Sequence, residues 1–269
     1  MTTSPREVVS ALRHSHHDLA GFAAGSGPAD LTAASCCPDW TRAQVLSHLG
    51  STAEIALANL EAARAGGEPF PTDRYAPVWA RWDGLDPAGQ AAGFVQADGA
   101  YVTALETLDD ATLAGLGIKV PWQAAPQPLL SVVLARLAEH ALHRWDILAS
   151  IDPAAPLAED AAEILVTNPL GLQGVRPEVL GREIGSEPAR IAISTTWPGY
   201  QFLLEIGDHS RLLPGGPRAE GVDGSLTLPA EALPRLLTGR MDRAHTPAEL
   251  VYESTTIALD ELRAVFPGY

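Results

Sequence analysis

The chain has 269 residues, enough for one large domain or two modest ones, and a formal charge of −15 from 33 acidic against 18 basic side chains. That balance excludes nucleic acid and anionic membranes as partners, because their phosphates would be repelled. No apolar run reaches the roughly 18 residues of a membrane span, and MTTSPREVV lacks a signal-peptide apolar segment, so a cytoplasmic location is expected.

The first helix starts at Ser4 as N-cap, with Pro5 at the first helical position and Glu7 completing a capping box. Val9, Leu12, His16 and Leu19 share a face, and the helix fades near Gly25. A loop follows, GSGPADLTAASCCPDW. Thr41, with Gln44 three residues on, opens helix two, which runs through His48 and Glu54 to Gly66–Gly67. Residues 67–85, with several prolines and Tyr75, Trp79 and Trp82, read as a long crossover loop containing a short helical turn. Helix three spans Pro87 to Leu108, with Phe94, Tyr101, Leu105 and Leu108 inward; 109–127 is a second loop. Helix four covers 128–150, PLLSVVLARLAEHALHRWDILAS, and a further helix runs from about Ala158 to Val166, ended by Asn168–Pro169.

Beyond about residue 180 the pattern changes. ARIAISTT and YQFLLEIG read as strands around a WPG turn. A Gly/Pro-rich stretch leads to a strand at Ser225–Leu228, then a short helix closed by Gly239. A last helix is expected from about Pro247 to Phe266. The fold class is therefore α plus α+β: a four-helix bundle over 1–178 and a smaller α+β domain over 179–269. A monomer is expected, since two such domains can cover each other's apolar faces.

Helix four carries the chemistry. Leu130, Val133, Leu134, Leu137, Ala141 and Leu148 recur at helical spacing, with Arg136, Glu139, His143 and Asp146 as a polar stripe beside them. Glu139 and His143 lie one turn apart and project from one face. A buried carboxylate and imidazole need a partner, and a divalent metal would serve. Two ligands at i, i+4 require a third from another helix, for which His48 is the best candidate. A lone helical histidine is more often a surface or hydrogen-bonded core residue, and an i, i+4 Glu–His pair also occurs on exposed helices. Asp146 and Arg136, one turn to either side, read as groups that orient the ligands. His16 reads as a satisfied core histidine that could approach the metal, and His140, about 100° round the helix, faces elsewhere. Cys36 and Cys37 are adjacent, which disfavours a structural disulfide and suits a reducing compartment; they read as small buried side chains rather than ligands or nucleophiles.

Trp40-Thr41, Val45-Leu46 and His48-Leu49 resemble the start of helix two in the DinB-like metal-binding bundles. Glu139-x-x-x-His143-Arg144-Trp145-Asp146 resembles the corresponding segment of the mycothiol-dependent maleylpyruvate isomerase family. The region 180–269 is similar to that family's C-terminal domain, including Leu-Leu-x-Gly-Arg at Leu236 to Arg240. The resemblance implies zinc held by His48, Glu139 and His143. It also implies mycothiol as co-substrate, and Arg240 as a catalytic or cofactor-binding arginine. Nickel or iron would accept the same donors. The implied activity is attack of a metal-activated thiolate on an electrophilic small molecule, in cis–trans isomerisation or in S-transfer. Two alternatives stand beside it. One is a metal-dependent hydrolase with activated water. The other is a non-catalytic protein binding a small ligand, with the loops at 207–224 lining its site. The loops at 67–85 and 109–127 are candidates for the pocket's border, and Arg74, Arg81 and Arg240 for anchoring substrate carboxylates.

Overall fold

Four long helices build the first half of the chain, and three of them begin with a residue that satisfies free N–H groups of the first turn. Ser4 and Glu7 bond reciprocally at the start of α1 (Pro5–Gly25). Thr41 and Gln44 do the same for α3 (Arg42–Arg64), after the short α2 (Pro28–Thr32). Asp86 accepts from the Gly89 N–H to start α5 (Pro87–Glu106). The fourth long helix, α7 (Leu129–Ala149), follows the short α6 (Asp110–Gly115) and a two-residue hairpin of β1 (Gly117–Ile118) and β2 (Gln127–Pro128). The computed structural model describes residues 3–120, 123–168, 188–207, 210–215 and 221–268. It divides into two units, Met1–Asp152 and Pro153–Tyr269.

In the first unit α3 packs along α5, and α1 packs against α5 and α7. Leu12, Leu46, Phe94, Tyr101, Leu137 and Trp145 are buried at the centre. The loop expected at 67–85 is more ordered than its prolines suggest. Thr72–Arg74 forms a 3₁₀ turn and Tyr75–Asp83 an α-helix, α4. Pro77 sits in the first turn of α4, where its missing N–H costs nothing. α4 delivers Trp82 into a slot made by two glycines. A Cβ on Gly50 would lie 2.3 Å from the Trp82 ring, and one on Gly93 2.9 Å from it. The indole N–H donates to Glu54 (2.9 Å). Gly93, which weakens α5 on propensity grounds, and Gly50 of α3 together form the space into which α4 locks.

In the second unit, α8 (Glu159–Thr167) precedes a five-stranded mixed sheet. Its order is β5 (Arg211–Pro214), β4 (Gln201–Ile206), β3 (Ala189–Thr195), β6 (Gly224–Leu228), β7 (Val251–Ser254). Only β3 and β6 run parallel among these neighbours. Ala189, Ile191 and Ile193 alternate inward along β3, as a period-2 strand requires. Two short helices complete the unit, α9 (Ala232–Leu237) and α10 (Leu259–Val265). Gly239 ends α9 with φ +71°, and a Cβ there would meet the Gly268 backbone at 2.3 Å.

The fold class expected from the sequence stands, a four-helix bundle followed by a smaller α+β unit. Three elements differ. The helix Glu159–Thr167 belongs to the second unit, not the bundle; the boundary expected at 178/179 falls in residues 169–187, outside the described residues, as does Pro169 of the expected helix stop. Val251–Ser254 is an edge strand, so the last helix is only Leu259–Val265; the β-branched and aromatic Val251 and Tyr252 pair with β6 before any helix can start. The loop 109–127 holds α6 and the β1–β2 hairpin, although Pro121 and Trp122 lie outside the described residues. Among the described residues no helix is long and apolar enough to cross a membrane.

Filling the Trp82 slot should be costly. Gly50→Val is expected to destabilise the protein by about 2 kcal/mol, a fall of roughly 4–8 °C in Tm. An unchanged thermal transition would show that Trp82 is not seated against Gly50.

Candidate metal centre

The sequence-predicted ligands converge. His48 from α3 and Glu139 and His143 from α7 each offer a donor atom, all within 4.8 Å of one another. His48 Nε2 lies 3.2 Å from Glu139 Oε2, and His143 Nε2 lies 3.6 Å from the same oxygen. Tetrahedral zinc with bonds of about 2.0–2.1 Å has ligand atoms about 3.3 Å apart. The two spacings bracket that edge, and the third pair, His48 with His143, lies within 4.8 Å, so the donor set suits a divalent ion. The His48 and Glu139 side chains are 29% and 35% exposed, while His143 is 8% exposed. The triangle is therefore closed behind His143 and open on one side, where a further ligand can enter.

The surroundings fix the rings. Asp146, itself buried, accepts from His143 Nδ1–H at 2.9 Å. That bond settles the tautomer and turns the Nε2 lone pair toward Glu139. The Cys36 backbone N–H donates to the Asp146 carbonyl (2.8 Å), tying the loop before α3 to α7. The Trp40 ring lies 5.3 Å from His48 and 6.2 Å, nearly parallel, from His143, walling one flank. Cys37 Sγ groups with His143 and Asp146 within 4.8 Å. The thiol thus lies beside the centre but behind His143, with the orienting carboxylate.

Electrostatics follow from these bonds. Burial pushes His143 down, but its contacts with Asp146 and Glu139 outweigh this and raise it above the ordinary imidazole value. Burial dominates at His48, which is lowered despite Glu139. Glu139 would be raised by burial, yet its two imidazole partners hold it well below the usual carboxylate range. It is an anion between two imidazoles, the charge state a metal requires.

Beneath the triad lies a second polar cluster, centred on Asp98 of α5, which is fully buried. Its carboxylate accepts from His16 Nδ1 (2.8 Å), His140 Nε2 (2.9 Å) and Arg136 Nη2 (2.7 Å). Arg136 also donates to the Leu49 carbonyl (2.6 Å) and the Thr52 hydroxyl (2.6 Å). Thr52 in turn donates to the His48 carbonyl (2.8 Å). Arg136 therefore acts on the backbone carrying His48, through Thr52 and the Leu49 carbonyl. His16 is the satisfied core histidine expected from its position, and His140 does face away from the metal donors. Asp98 itself was missed. The signal was present: Phe94, Asp98, Tyr101 and Leu105 share one helix face, and a carboxylate on an otherwise apolar face needs buried partners. Burial would raise Asp98, but its His140, His16 and Arg136 partners hold it well below the usual range.

Of the other candidates, Arg81 pairs with Glu54 (2.5 Å) on the surface, and Arg74 lies exposed in the 3₁₀ turn. Arg240 belongs to the second unit, where its Nη1 donates to the Thr238 carbonyl (3.2 Å). The loop 207–224 is described only in part, since 208–209 and 216–220 lie outside the described residues.

A family model described as the mycothiol maleylpyruvate isomerase N-terminal domain matches residues 12–148, more than half of the 269 residues. The chain belongs to this family. The matched span holds His48, Glu139, His143 and Asp146, as well as the Asp98 cluster. A crystal structure of the mycothiol-dependent maleylpyruvate isomerase is similar, with 16% identity and a TM-score of 0.62 over 96% of this chain and 98% of that one. A histidine-to-alanine mutant bearing the same name gives 18% identity and a TM-score of 0.58 over 90% and 93%. At these identities the likeness shows the fold. No curated protein sequence matches.

The Asp98 cluster should be sensitive to loss of its centre. Asp98→Ala leaves Arg136 buried without its counter-charge and is expected to cost about 3–5 kcal/mol. Because Asp98 is held low, its contribution is full at neutral pH and is lost only as pH falls through that depressed value. Chemical denaturation at pH 7 measures the cost; a change under 1 kcal/mol would mean the network stabilises nothing.

Proposed function

We propose that this chain is a metal-dependent enzyme that uses mycothiol to attack an electrophilic small molecule, as an S-transferase or a cis–trans isomerase. The observation that carries the reading is the donor triangle of His48, Glu139 and His143, at tetrahedral-edge spacing and open on one side. Two imidazoles and a carboxylate suit zinc, and nickel or iron would accept the same donors. Membership of the family supplies the thiol. A bound divalent cation would supply the positive charge that keeps a thiol sulfur deprotonated near neutral pH.

The chain's own residues do the rest. Asp146 holds His143 in the tautomer that presents Nε2. Trp40 keeps water from one flank of both imidazoles. Arg136, through Thr52 and the Leu49 carbonyl, holds α3 in the register that places His48 over Glu139. The exposed edge of His48 and Glu139 admits the thiol and lets its proton pass to solvent. In isomerisation the sulfur adds to one carbon of a cis double bond, the new single bond rotates, and the sulfur leaves. In transfer a leaving group departs and the carbon–sulfur bond remains. Arg240 is proposed as an anchor for an anionic group of thiol or substrate; its support is the Leu-Leu-x-Gly-Arg segment alone.

Elemental analysis and calorimetry with mycothiol and a non-cognate thiol test this reading. Near-stoichiometric zinc and selective mycothiol binding are expected, and His48→Ala, Glu139→Ala and His143→Ala should each lose both metal and turnover. Metal without thiol affinity would favour a hydrolase. An absence of metal would leave a small-ligand-binding protein.

Zinc affinity should also depend on pH in a definite direction. Protonated imidazole holds no metal, and His143 is raised while His48 is lowered. Below the raised His143 value zinc must displace one proton, so affinity should fall about tenfold per pH unit there. Calorimetry in buffers of different ionisation enthalpy counts that proton; release of none would place His143 outside the ligand set.

A further inference from the structure

One turn along α3 from His48 an apolar cavity begins. Its volume is about 230 Å³, and Thr52, Ile55, Ala56 and Asn59 of α3 form one wall. Leu129 and Val132 of α7 form the facing wall, and Val132 lies two turns from Glu139 on the same helix face. At 1.5 Å per residue, Thr52 sits about 6 Å and Val132 about 10 Å along their helices from the metal donors. Leu60 extends the α3 wall, Tyr101 of α5 joins it, and the two connecting segments supply Tyr75 and Trp79 from one and Ile118 and Val120 from the other.

The lining carries no charged side chain. Its polar groups are largely engaged within the protein. Thr52 bonds to Arg136 and to the His48 carbonyl. Asn59 donates to the Tyr75 hydroxyl (3.3 Å) and accepts from the Phe70 N–H (2.8 Å). Burial pushes the Tyr101 phenol up to about 12, so it stays neutral. Arg136, which bonds to Thr52 of the lining, is neutralised by Asp98 at 2.7 Å. Arg81, on the outer face of α4, is bonded to Glu54, and Lys119, between two lining residues, to Glu68. A substrate with two carboxylates would enter this space with no counter-charge, at a cost of several kcal/mol per ion. An uncharged ring fits. A cavity of about 150 Å³ already holds benzene.

We propose that this cavity is the specificity pocket of the enzyme and takes an uncharged aromatic or branched apolar group of the electrophile, not a small dicarboxylate. The proposal rests on the thiol-dependent reading for its reaction, but the pocket can be tested without it. The binding probe is 1,3-dinitrobenzene, an uncharged ring with no leaving group. Maleate is the dianionic control, and Ala56→Phe and Val132→Phe fill the cavity from opposite walls. Both sites are half-buried and face the empty volume, so the variants should fold, as thermal melts verify.

Ligand-observed NMR should show the ring binding to both metal-free and zinc-loaded protein, without competition from maleate. Affinity should fall at least tenfold in each variant, with zinc content unchanged. With mycothiol and 1-chloro-2,4-dinitrobenzene, sulfur forms a bond to the ring carbon, chloride leaves with the carbon–chlorine pair, and the thiol proton passes to solvent. Filling the cavity should raise KM for this electrophile at least tenfold, with kcat changed far less. A ring that does not bind, that binds equally to both folded variants, or that maleate displaces overturns the proposal. Filling-sensitive ring binding with no mycothiol-dependent turnover supports the pocket and counts against the thiol reading instead.

Discussion

The salt bridge between Arg136 and Asp98 is the contact on which the rest of the bundle depends. Asp98 on α5 is fully buried, and Arg136 on α7 is 7% exposed. Neither charge is tolerable there alone. Together with the Leu49 carbonyl and the Thr52 hydroxyl of α3, they tie three helices at one level. His16 adds α1 as a fourth. Apolar packing between such helices tolerates sliding, because leucine contacts are non-directional. A guanidinium with three fixed acceptors does not. The network therefore sets the register that puts His48 of one helix within bonding distance of Glu139 on another.

The first unit holds two imidazole–carboxylate systems on adjacent faces of α7, and their difference separates structure from chemistry. Around Asp98 the partners are internal: His140 takes a hydrogen bond from Ser15 (3.3 Å) on the nitrogen that does not face Asp98, and Arg136 supplies the charge. That cluster is closed to solvent. Around Glu139 the same residue types leave about a third of two side chains open to solvent, with donor atoms within 4.8 Å of one another. Burial cost is met by hydrogen bonds in the first case and partly deferred in the second. A site whose groups are incompletely satisfied at a surface is one that can take a ligand.

Much of this was legible in the chain. The four long helices announce themselves through capping residues at Ser4 and Thr41 and through apolar spacing, which are local signals. Glu139 and His143 are legible because they are one turn apart, and His48 because it follows a Trp-Thr helix start that resembles a known family. Asp98 was not read, since its partners lie 82, 42 and 38 residues away in sequence. For the same reason the route by which Arg136 reaches the site, through α3 and α5, is not legible in the sequence. Tyr75–Asp83 looked like a loop because of its prolines, and the slot between Gly50 and Gly93 that receives Trp82 exists only once α3 and α5 are side by side. Val251–Ser254 became a strand because β6 offers it an edge, a tertiary partner that outweighs the helical spacing downstream.

Charge accounting in the first unit bears on what can occupy the site. With −15 overall, a dianionic substrate meets a repulsive field at range, and inside the apolar cavity it gains from binding only where a cation is held for it. Arg136 is committed to Asp98, whose removal would cost the bundle its register; it cannot also serve a substrate. An uncharged ring makes no such demand. Hiding about 150 Å² of its surface gains roughly 3–4 kcal/mol without any counter-charge, and the walls that hide it are the outward continuations of the two helices that carry the metal donors. The constraint that aligns α3 with α7 for His48 and Glu139 therefore also keeps Ala56 and Val132 on the lining of one cavity, so a single buried salt bridge sets both the His48–Glu139 contact and the space beside it.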